Sequence, residues 1–274
     1  MRNKSIYKLS IILGMVLILL SSLLTSHYLL GAKSGLNKMS KVLVLIIASD
    51  DTPIYIETQK IWRAYMHSDL DHVEAYFIKG NPNLAEKYKI DGDTIWSRTV
   101  ENLKPGILNK TILSLECMLP RIKAGEFSYI LRTESTSFYV YSNLLRHLKN
   151  CPRKNFYGGS DIGISYIGAG SGFLLSPDMA ELLVKNSSVL INKAGYLDDV
   201  EIGHFFHKHN IGLKRHSRVN IYKLSDFNSA IKINEIIENE FHYRVKNENH
   251  DLRMTDDMYV YGKLLEKFYG KRLE

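Results

Sequence analysis

Cysteine is scarce in this sequence, with only Cys117 and Cys151 among its 274 residues. Two thiols cannot build a disulfide framework, and they cannot complete a four-ligand zinc site by themselves. A single bridge between them is compatible with an oxidising compartment, but Cys117 lies in an apolar helical pattern where a free thiol serves as a small core residue. The sequence therefore excludes a disulfide-rich fold and leaves the pairing of the two cysteines open.

Long runs of one charge, internal repeats and low-complexity tracts are also missing. The 36 Lys and Arg residues are interleaved with 29 Asp and Glu residues, which gives a formal net charge of +7. This mild excess, without a basic block, argues against a nucleic acid partner. The stretch Gly168-Ala169-Gly170-Ser171-Gly172 lacks the following Lys and Ser or Thr of a phosphate-binding loop and does not predict one.

One long hydrophobic run is present, near the amino terminus. Residues 9–32 contain no Asp, Glu, Lys or Arg, and as a helix they could cross a hydrocarbon core of about 30 Å. A cleaved signal peptide is the alternative, although its apolar region is usually about 7–15 residues long. We expect a tail (1–8), a transmembrane signal-anchor (9–32) that binds the lipid bilayer, a linker (33–40) and one exported domain (41–274), in a single-pass type II arrangement.

Beyond the linker, apolar strand-like runs alternate with helical patterns. Residues 41–48 form a continuous apolar run that is typical of a buried parallel strand. Such alternation predicts an α/β domain with a mainly parallel, Rossmann-like sheet that helices cover on both faces. The other predicted strands are 73–78, 127–132 and 173–175, and the predicted helices cover 56–66, 108–119, 139–148, 179–185 and 203–209.

Polar clusters lie where three of these elements end or begin: Ser49-Asp50-Asp51, Thr133-Glu134-Ser135-Thr136 and Asp198-Asp199. Ligands of open α/β sheets bind at the carboxyl ends of the strands. A positioned carboxylate can take the proton of an attacking hydroxyl, but an Asp before an apolar periodic run is also an ordinary helix N-cap. Because the three clusters are expected at the same edge of the sheet, a ligand-binding site is favoured over a helix cap for Asp198-Asp199.

Several segments, in order, are similar to motifs of one enzyme family. Leu197-Asp198-Asp199-Val200-Glu201-Ile202-Gly203 is similar to its Glu-Asp-Val-x-x-Gly, and Gly170-Ser171-Gly172-Phe173-Leu174-Leu175-Ser176 to its Gly-Gly-Gly-Tyr-Val-Leu-Ser. The other matching segments are Leu43-Val44-Leu45-Ile46-Ile47-Ala48-Ser49 with Ile61-Trp62, Asn109-Lys110-Thr111-Ile112, and Tyr129-Ile130-Leu131-Arg132-Thr133-Glu134-Ser135-Thr136-Ser137-Phe138. Over about residues 41–212 the chain resembles family 31 of the glycosyltransferases, which includes the β-1,3-galactosyl- and N-acetylglucosaminyltransferases and the Fringe proteins.

The resemblance implies a single GT-A domain that inverts the sugar as it moves a hexose or N-acetylhexosamine from a UDP-sugar to a glycan or glycoconjugate, forming a β-1,3 bond. It implies that Asp199 is the base and that Asp198 supports the site or caps the helix. It also implies a Golgi or ER membrane location, or the inner membrane in a bacterium. The expected donor-binding residues are Ser49, Asp50, Lys110, Arg132, Glu134, Thr136, Arg244 and Lys246, and the expected acceptor-binding residues are Gly170, Ser171 and Gly172.

The metal motif departs from the family pattern. Where the family has Asp-x-Asp for Mn²⁺, this sequence has Glu134-Ser135-Thr136, which leaves one carboxylate for a hard cation. Two alternatives stay open: Glu134 holds Mn²⁺ with a histidine such as His242, or basic side chains stabilise the departing diphosphate. The basic candidates are Lys110, Arg132, Arg244, Lys246 and Arg253. Residues 241–246 otherwise have the alternation of an edge strand with a solvated basic face.

Other patterns indicate a structural role more strongly than a catalytic or metal-binding one. Asp91-Gly92-Asp93 spells Asp-x-Asp but is typical of a turn, and His204, His207 and His209 lack the Glu or Cys of a zinc pattern and indicate a helix face. Asn109-Lys110-Thr111 and Asn186-Ser187-Ser188 are glycosylation sequons. The altered metal motif leaves a second function open, that of an inactive relative that binds glycans or a partner transferase.

Overall fold

Strands and helices alternate in the computed structural model, which describes residues 40–191, 195–232 and 238–272. The strands are β1 (Lys41–Ile47), β2 (Val73–Gly80), β3 (Tyr88–Asp91), β4 (Thr94–Ser97), β5 (Phe127–Glu134), β6 (Ser137–Tyr139), β7 (Tyr157–Asp161), β8 (Gly168–Leu175), β9 (Leu213–Arg215), β10 (Val219–Ile221) and β11 (His242–Val245). The helices are α1 (Pro53–Tyr65), α2 (Gly106–Lys123), α3 (Tyr141–Leu148), α4 (Pro177–Lys185), α5 (Ser187–Leu190), α6 (Asp198–Lys208), α7 (Leu224–Lys232) and α8 (Met258–Tyr269).

The central sheet has the strand order β3-β4-β2-β1-β5-β8-β7-β9. The pairs β1–β2, β1–β5, β2–β4 and β7–β9 are parallel, and the pairs β3–β4, β5–β8 and β7–β8 are antiparallel. The predicted α/β class with a mainly parallel sheet is therefore confirmed. A consequence of the antiparallel β5–β8 pair is that the carboxyl end of β5 lies beside the amino end of β8.

Helices cover both faces of this sheet, as predicted. Along β1, Val42, Val44 and Ile46 belong to the core under α1, α3 and α8, whereas Leu43 and Leu45 belong to the core under α2, α4 and α6. Successive side chains of a strand point to opposite faces, so a continuous apolar run supplies both cores. Each such buried side chain stabilises the fold by about 1.5–3 kcal/mol.

The basic segment 241–246 differs from its predicted edge position. It forms β11, the central strand of a small sheet with the order β10-β11-β6. His242 and Tyr243 are 0 % and 1 % exposed, so two neighbouring strands and the core, instead of solvent, surround this strand. The prediction failed because β6 and β10 are only three residues long, too short for their alternation to be recognised.

Several smaller expectations can be compared with the structure. Asp91-Gly92-Asp93 connects β3 to β4, with Gly92 at φ +56°, so the turn prediction is confirmed. Both cysteines are free thiols. Asn109 is 5 % exposed and its amide donates to Thr99 Oγ1, so the folded chain cannot carry a glycan there.

The predicted anchor at residues 9–32 and most of the linker lie outside the described residues. Within residues 40–191, 195–232 and 238–272, no helix combines the length and the apolar character that crossing a bilayer requires.

Candidate active site

A cleft of about 290 Å³ opens at the carboxyl ends of β1 and β5. Its floor is formed by residues that directly follow or end these strands, because parallel neighbours finish at one edge of the sheet. The lining residues are Ile47, Ala48, Ser49, Asp51, Tyr55, Glu101, Asn102, Leu103, Ile107, Lys110, Glu134, Ser135, Thr136 and Lys246. Five of the expected donor-binding residues, Ser49, Lys110, Glu134, Thr136 and Lys246, therefore share this cleft.

The other expected donor-binding residues are held by protein partners. Asp50 accepts hydrogen bonds from Lys79 Nζ at 2.7 Å and from Gln59 Nε2 at 3.1 Å. Arg244 Nε lies 3.3 Å from Glu134 Oε1. Arg253, another cationic candidate, is buried and its Nε donates to Asp257 Oδ2 at 2.9 Å.

Lys110 is 1 % exposed at the base of the cleft. Its ammonium donates to Ala48 O at 2.9 Å and forms an ion pair with Glu101. Burial lowers the pKa of Lys110, and Glu101 opposes that shift. Glu101 was not anticipated from the sequence; it also accepts from Gly80 N–H at 2.6 Å, so it ties the loop before α2 to the end of β2.

The acidic pair divides into two distinct environments. Asp198 is 6 % exposed and forms an ion pair with Arg132, which is 1 % exposed and also donates to Gly170 O. Burial raises the pKa of Asp198, Arg132 opposes the shift and the charge of Asp199 adds to it; the net change is upward. Asp198 is the first residue of α6, and Leu197 occupies the N-cap position without a side-chain cap.

Asp199 has no cationic partner in the described part of the chain. It is 7 % exposed, and Oδ1 accepts a hydrogen bond from Val200 N–H at 3.0 Å. Its other oxygen, Oδ2, faces Gly170, where an added Cβ would lie only 3.1 Å away. The missing side chain of Gly170 therefore leaves space in front of a carboxylate oxygen that no Lys or Arg of the described residues neutralises.

The register of the β5–β8 pair brings this carboxylate close to the cleft. Thr133 is opposite Gly172, so in an antiparallel ladder Gly170 lies at the end of β5 that continues into Glu134 and Ser135. Glu134, the last residue of β5, and Ser135, which follows it, both line the cleft. Gly170, and with it the carboxylate of Asp199, is thus placed beside Ser135, although neither Gly170 nor Asp199 is itself a lining residue of the cleft.

The remaining expected acceptor residues are packed into the fold. Ser171 O accepts hydrogen bonds from Thr133 Oγ1 at 2.6 Å and from Ser137 Oγ at 2.8 Å. Gly172 approaches Tyr139 so closely that an added Cβ would lie 1.9 Å from the phenolic oxygen. Their role in acceptor binding stays a prediction, because only Gly170 directly faces Asp199.

Gly172→Ala is expected to destabilise the folded chain by about 1–3 kcal/mol, the usual cost of overpacking. Tyr139 cannot easily give way, because its ring is stacked on His242 with centroids 4.4 Å apart. Gly212→Ala is the matched control, since nothing lies within 4 Å of a Cβ there. Urea unfolding of both variants measures the difference, and equal midpoints would contradict the packing constraint.

The two expected metal ligands each have partners within the protein, and their binding of Mn²⁺ stays a prediction. Glu134 accepts from Thr136 Oγ1 at 2.8 Å and pairs with Arg244, whereas His242 is fully buried with Nε2 3.3 Å from Ser137 Oγ. Burial lowers the pKa of His242 well below its usual range, with the nearby charges of Arg218 and Arg244 adding to the effect. No group of three His, Cys, Asp or Glu side chains gathers around a common point within the described residues, the histidines of α6 included.

Sequence comparison finds no match: no family model fits the chain, and no curated protein matches it. Three solved glycosyltransferases are similar in structure. A glycosyltransferase involved in glycosylating the major capsid of PBCV-1 shows 9 % identity over 80 % of this chain and 98 % of that chain, with a TM-score of 0.46. The galactosyltransferase LgtC shows 14 % identity over 83 % and 96 % of the two chains, with a TM-score of 0.40. The glycosyltransferase GlyE of Streptococcus pneumoniae shows 10 % identity over 83 % and 64 %, with a TM-score of 0.43.

Proposed function

We propose that this chain is an inverting glycosyltransferase that moves a hexose or N-acetylhexosamine from a UDP-sugar to a glycan or glycoconjugate hydroxyl, with the β-1,3 linkage that the family 31 resemblance implies. The observation that carries the proposal is the division of the acidic pair. Arg132 forms an ion pair with Asp198, while Asp199 has no cationic partner in the described part of the chain and faces Gly170, on the strand next to the cleft-lining Glu134.

Asp199 suits the attack by the acceptor hydroxyl, and the cations of the cleft suit the departure of the diphosphate. A hydroxyl placed beside Gly170 could give its proton to Asp199 while its oxygen attacks the anomeric carbon on the face opposite the leaving group. The bond from the anomeric carbon to the diphosphate oxygen breaks in the same step, and negative charge grows on the diphosphate. Fixed cations such as Lys246 in the cleft can stabilise that charge.

An inactive glycan-binding relative is the second candidate, and one observation favours it. Glu134, the single carboxylate at the position of the family's metal motif, is already engaged by Thr136 and Arg244. A binding protein, however, does not need a carboxylate such as Asp199, which has no cationic partner among the described residues and faces Gly170.

The full-length chain, purified in detergent, distinguishes the two candidates. We expect it to release UDP from at least one UDP-sugar when glycan acceptors are supplied, and we expect the rate to be the same in Mn²⁺ and in EDTA, because side-chain cations stabilise the leaving diphosphate. Loss of turnover in EDTA would contradict the metal-free mechanism. Glycan binding without turnover from any donor would favour the inactive relative.

A further inference from the structure

The small sheet presents two guanidinium groups on one face. In the β10–β11 pair, Asn220 is opposite Arg244 and Val219 is opposite Tyr243. Arg218 directly precedes β10. Because side chains alternate along an extended chain, the side chain of Arg218 lies on the same face of the small sheet as those of Asn220 and Arg244. The neighbouring strand adds Ser137, opposite Arg244, to the same face.

Arg218 has no carboxylate partner among the described residues. One terminal nitrogen donates to Ser171 Oγ, and its buried Nε–H has no hydrogen-bond partner in that part of the chain. Burial lowers the pKa of Arg218, and the charge of Arg244 lowers it further. A largely buried cation that faces another cation is costly unless an anion joins them.

Among the described residues, Glu134 is the one carboxylate that forms an ion pair with either arginine. Glu134 lines the cleft and pairs with Arg244 through Nε, which leaves Arg218 as an excess positive charge. Guanidinium groups bind phosphate oxygens in a fork of parallel hydrogen bonds. A second guanidinium beside the Arg244–Glu134 pair, with no ion pair of its own among the described residues, suits a ligand with more than one negative charge.

We propose that Arg218, together with Arg244, forms an anion site for a diphosphate at the edge of the cleft beside Glu134. That the bound anion is the diphosphate of a nucleotide sugar rests on the proposed function. That Arg218 lacks a carboxylate partner among the described residues rests on the geometry alone. The site would take the place of a divalent cation at the leaving group. Arg218 lies in an irregular segment, residues 216–218, whose sequence has no periodic or motif signal.

The test is calorimetric titration of the full-length chain in EDTA with inorganic phosphate, inorganic diphosphate and UDP. We expect UDP and diphosphate to bind more tightly than phosphate. Arg218→Gln should weaken diphosphate binding at least about tenfold, the effect of losing hydrogen bonds to a charged group. Arg272→Gln, which removes the same charge from a side chain that is 84 % exposed, should leave the affinity unchanged.

Unchanged diphosphate affinity in Arg218→Gln would overturn the proposal, as would a wild-type chain that binds no diphosphate. If the Gln variant does not fold, Arg218→Lys retains the charge without the fork, and wild-type affinity in that variant would also count against the site. Failure of the two proposals can be told apart. If anion binding depends on Arg218 but no sugar is transferred, only the proposed function is contradicted. If sugar is transferred but anion binding does not depend on Arg218, only the anion site is contradicted.

Discussion

Asp199→Asn is expected to lower the rate of sugar transfer by about 10²–10⁴, the usual contribution of a general base. The amide retains an oxygen that can accept from Val200 N–H, as Asp199 Oδ1 does at 3.0 Å, so α6 should still begin in the same way. What is lost is the unpaired carboxylate oxygen beside Gly170. Initial rates with saturating donor and acceptor measure the effect.

Asp71→Asn is the matched control for that variant. Asp71 is exposed and precedes β2, at the edge of the sheet opposite the cleft, so removing its charge should leave the rate unchanged. An Asp199→Asn variant with wild-type activity would eliminate Asp199 as the base.

Arg132→Met is expected to destabilise the folded chain by about 3–5 kcal/mol, because it leaves the Asp198 carboxylate buried without its counter-charge. The two side chains are 2 % and 7 % exposed, so water cannot replace the guanidinium. The double variant Arg132→Met/Asp198→Leu should recover most of that loss, since an apolar pair can replace a buried ion pair at little cost. Urea unfolding of the wild type and of the single and double variants gives the free energies of unfolding for a double-mutant cycle.

The destabilisation of Arg132→Met should depend on pH. Burial already raises the pKa of Asp198 above its unfolded value, and loss of Arg132 raises it further. The folded variant then retains a proton that the folded wild type releases, so the loss of stability relative to the wild type grows as the pH rises above the raised pKa of Asp198 and shrinks at lower pH. A loss that is independent of pH would show that Asp198 is not the affected group.

The sequence predicts four of the eight strands of the central sheet, β1, β2, β5 and β8, because apolar runs carry their own signal. Residues 41–48 were expected as a buried strand, and β1 covers Lys41–Ile47. The helix predicted at 108–119 is longer in the structure, from Gly106 to Lys123, because its ends are set by packing and not by its apolar periodicity. Six short strands were not predicted, since each has five residues or fewer: β3, β4, β6, β7, β9 and β10.

The site was predicted in part, for a similar physical reason. Polar residues directly after strong strands could be placed at one edge, and Ser49, Glu134 and Thr136 do meet in the cleft. Which side chains are already occupied could not be read from the sequence, because the partners are distant along the chain. Asp50 is held by Lys79 and Arg132 by Asp198, and neither pair has a local pattern.

The small sheet determines when the site can form. Its β6–β11 pairing joins Ser137 to Arg244, and closing a loop of that length costs chain entropy before any contact is gained. Contacts between distant segments form late and slow folding. During synthesis, strands β1 and β5 can pair well before β11 is made, so the cleft would first exist as an acidic and incomplete surface. The chain would acquire its capacity to bind an anion only when its last quarter has been made and paired.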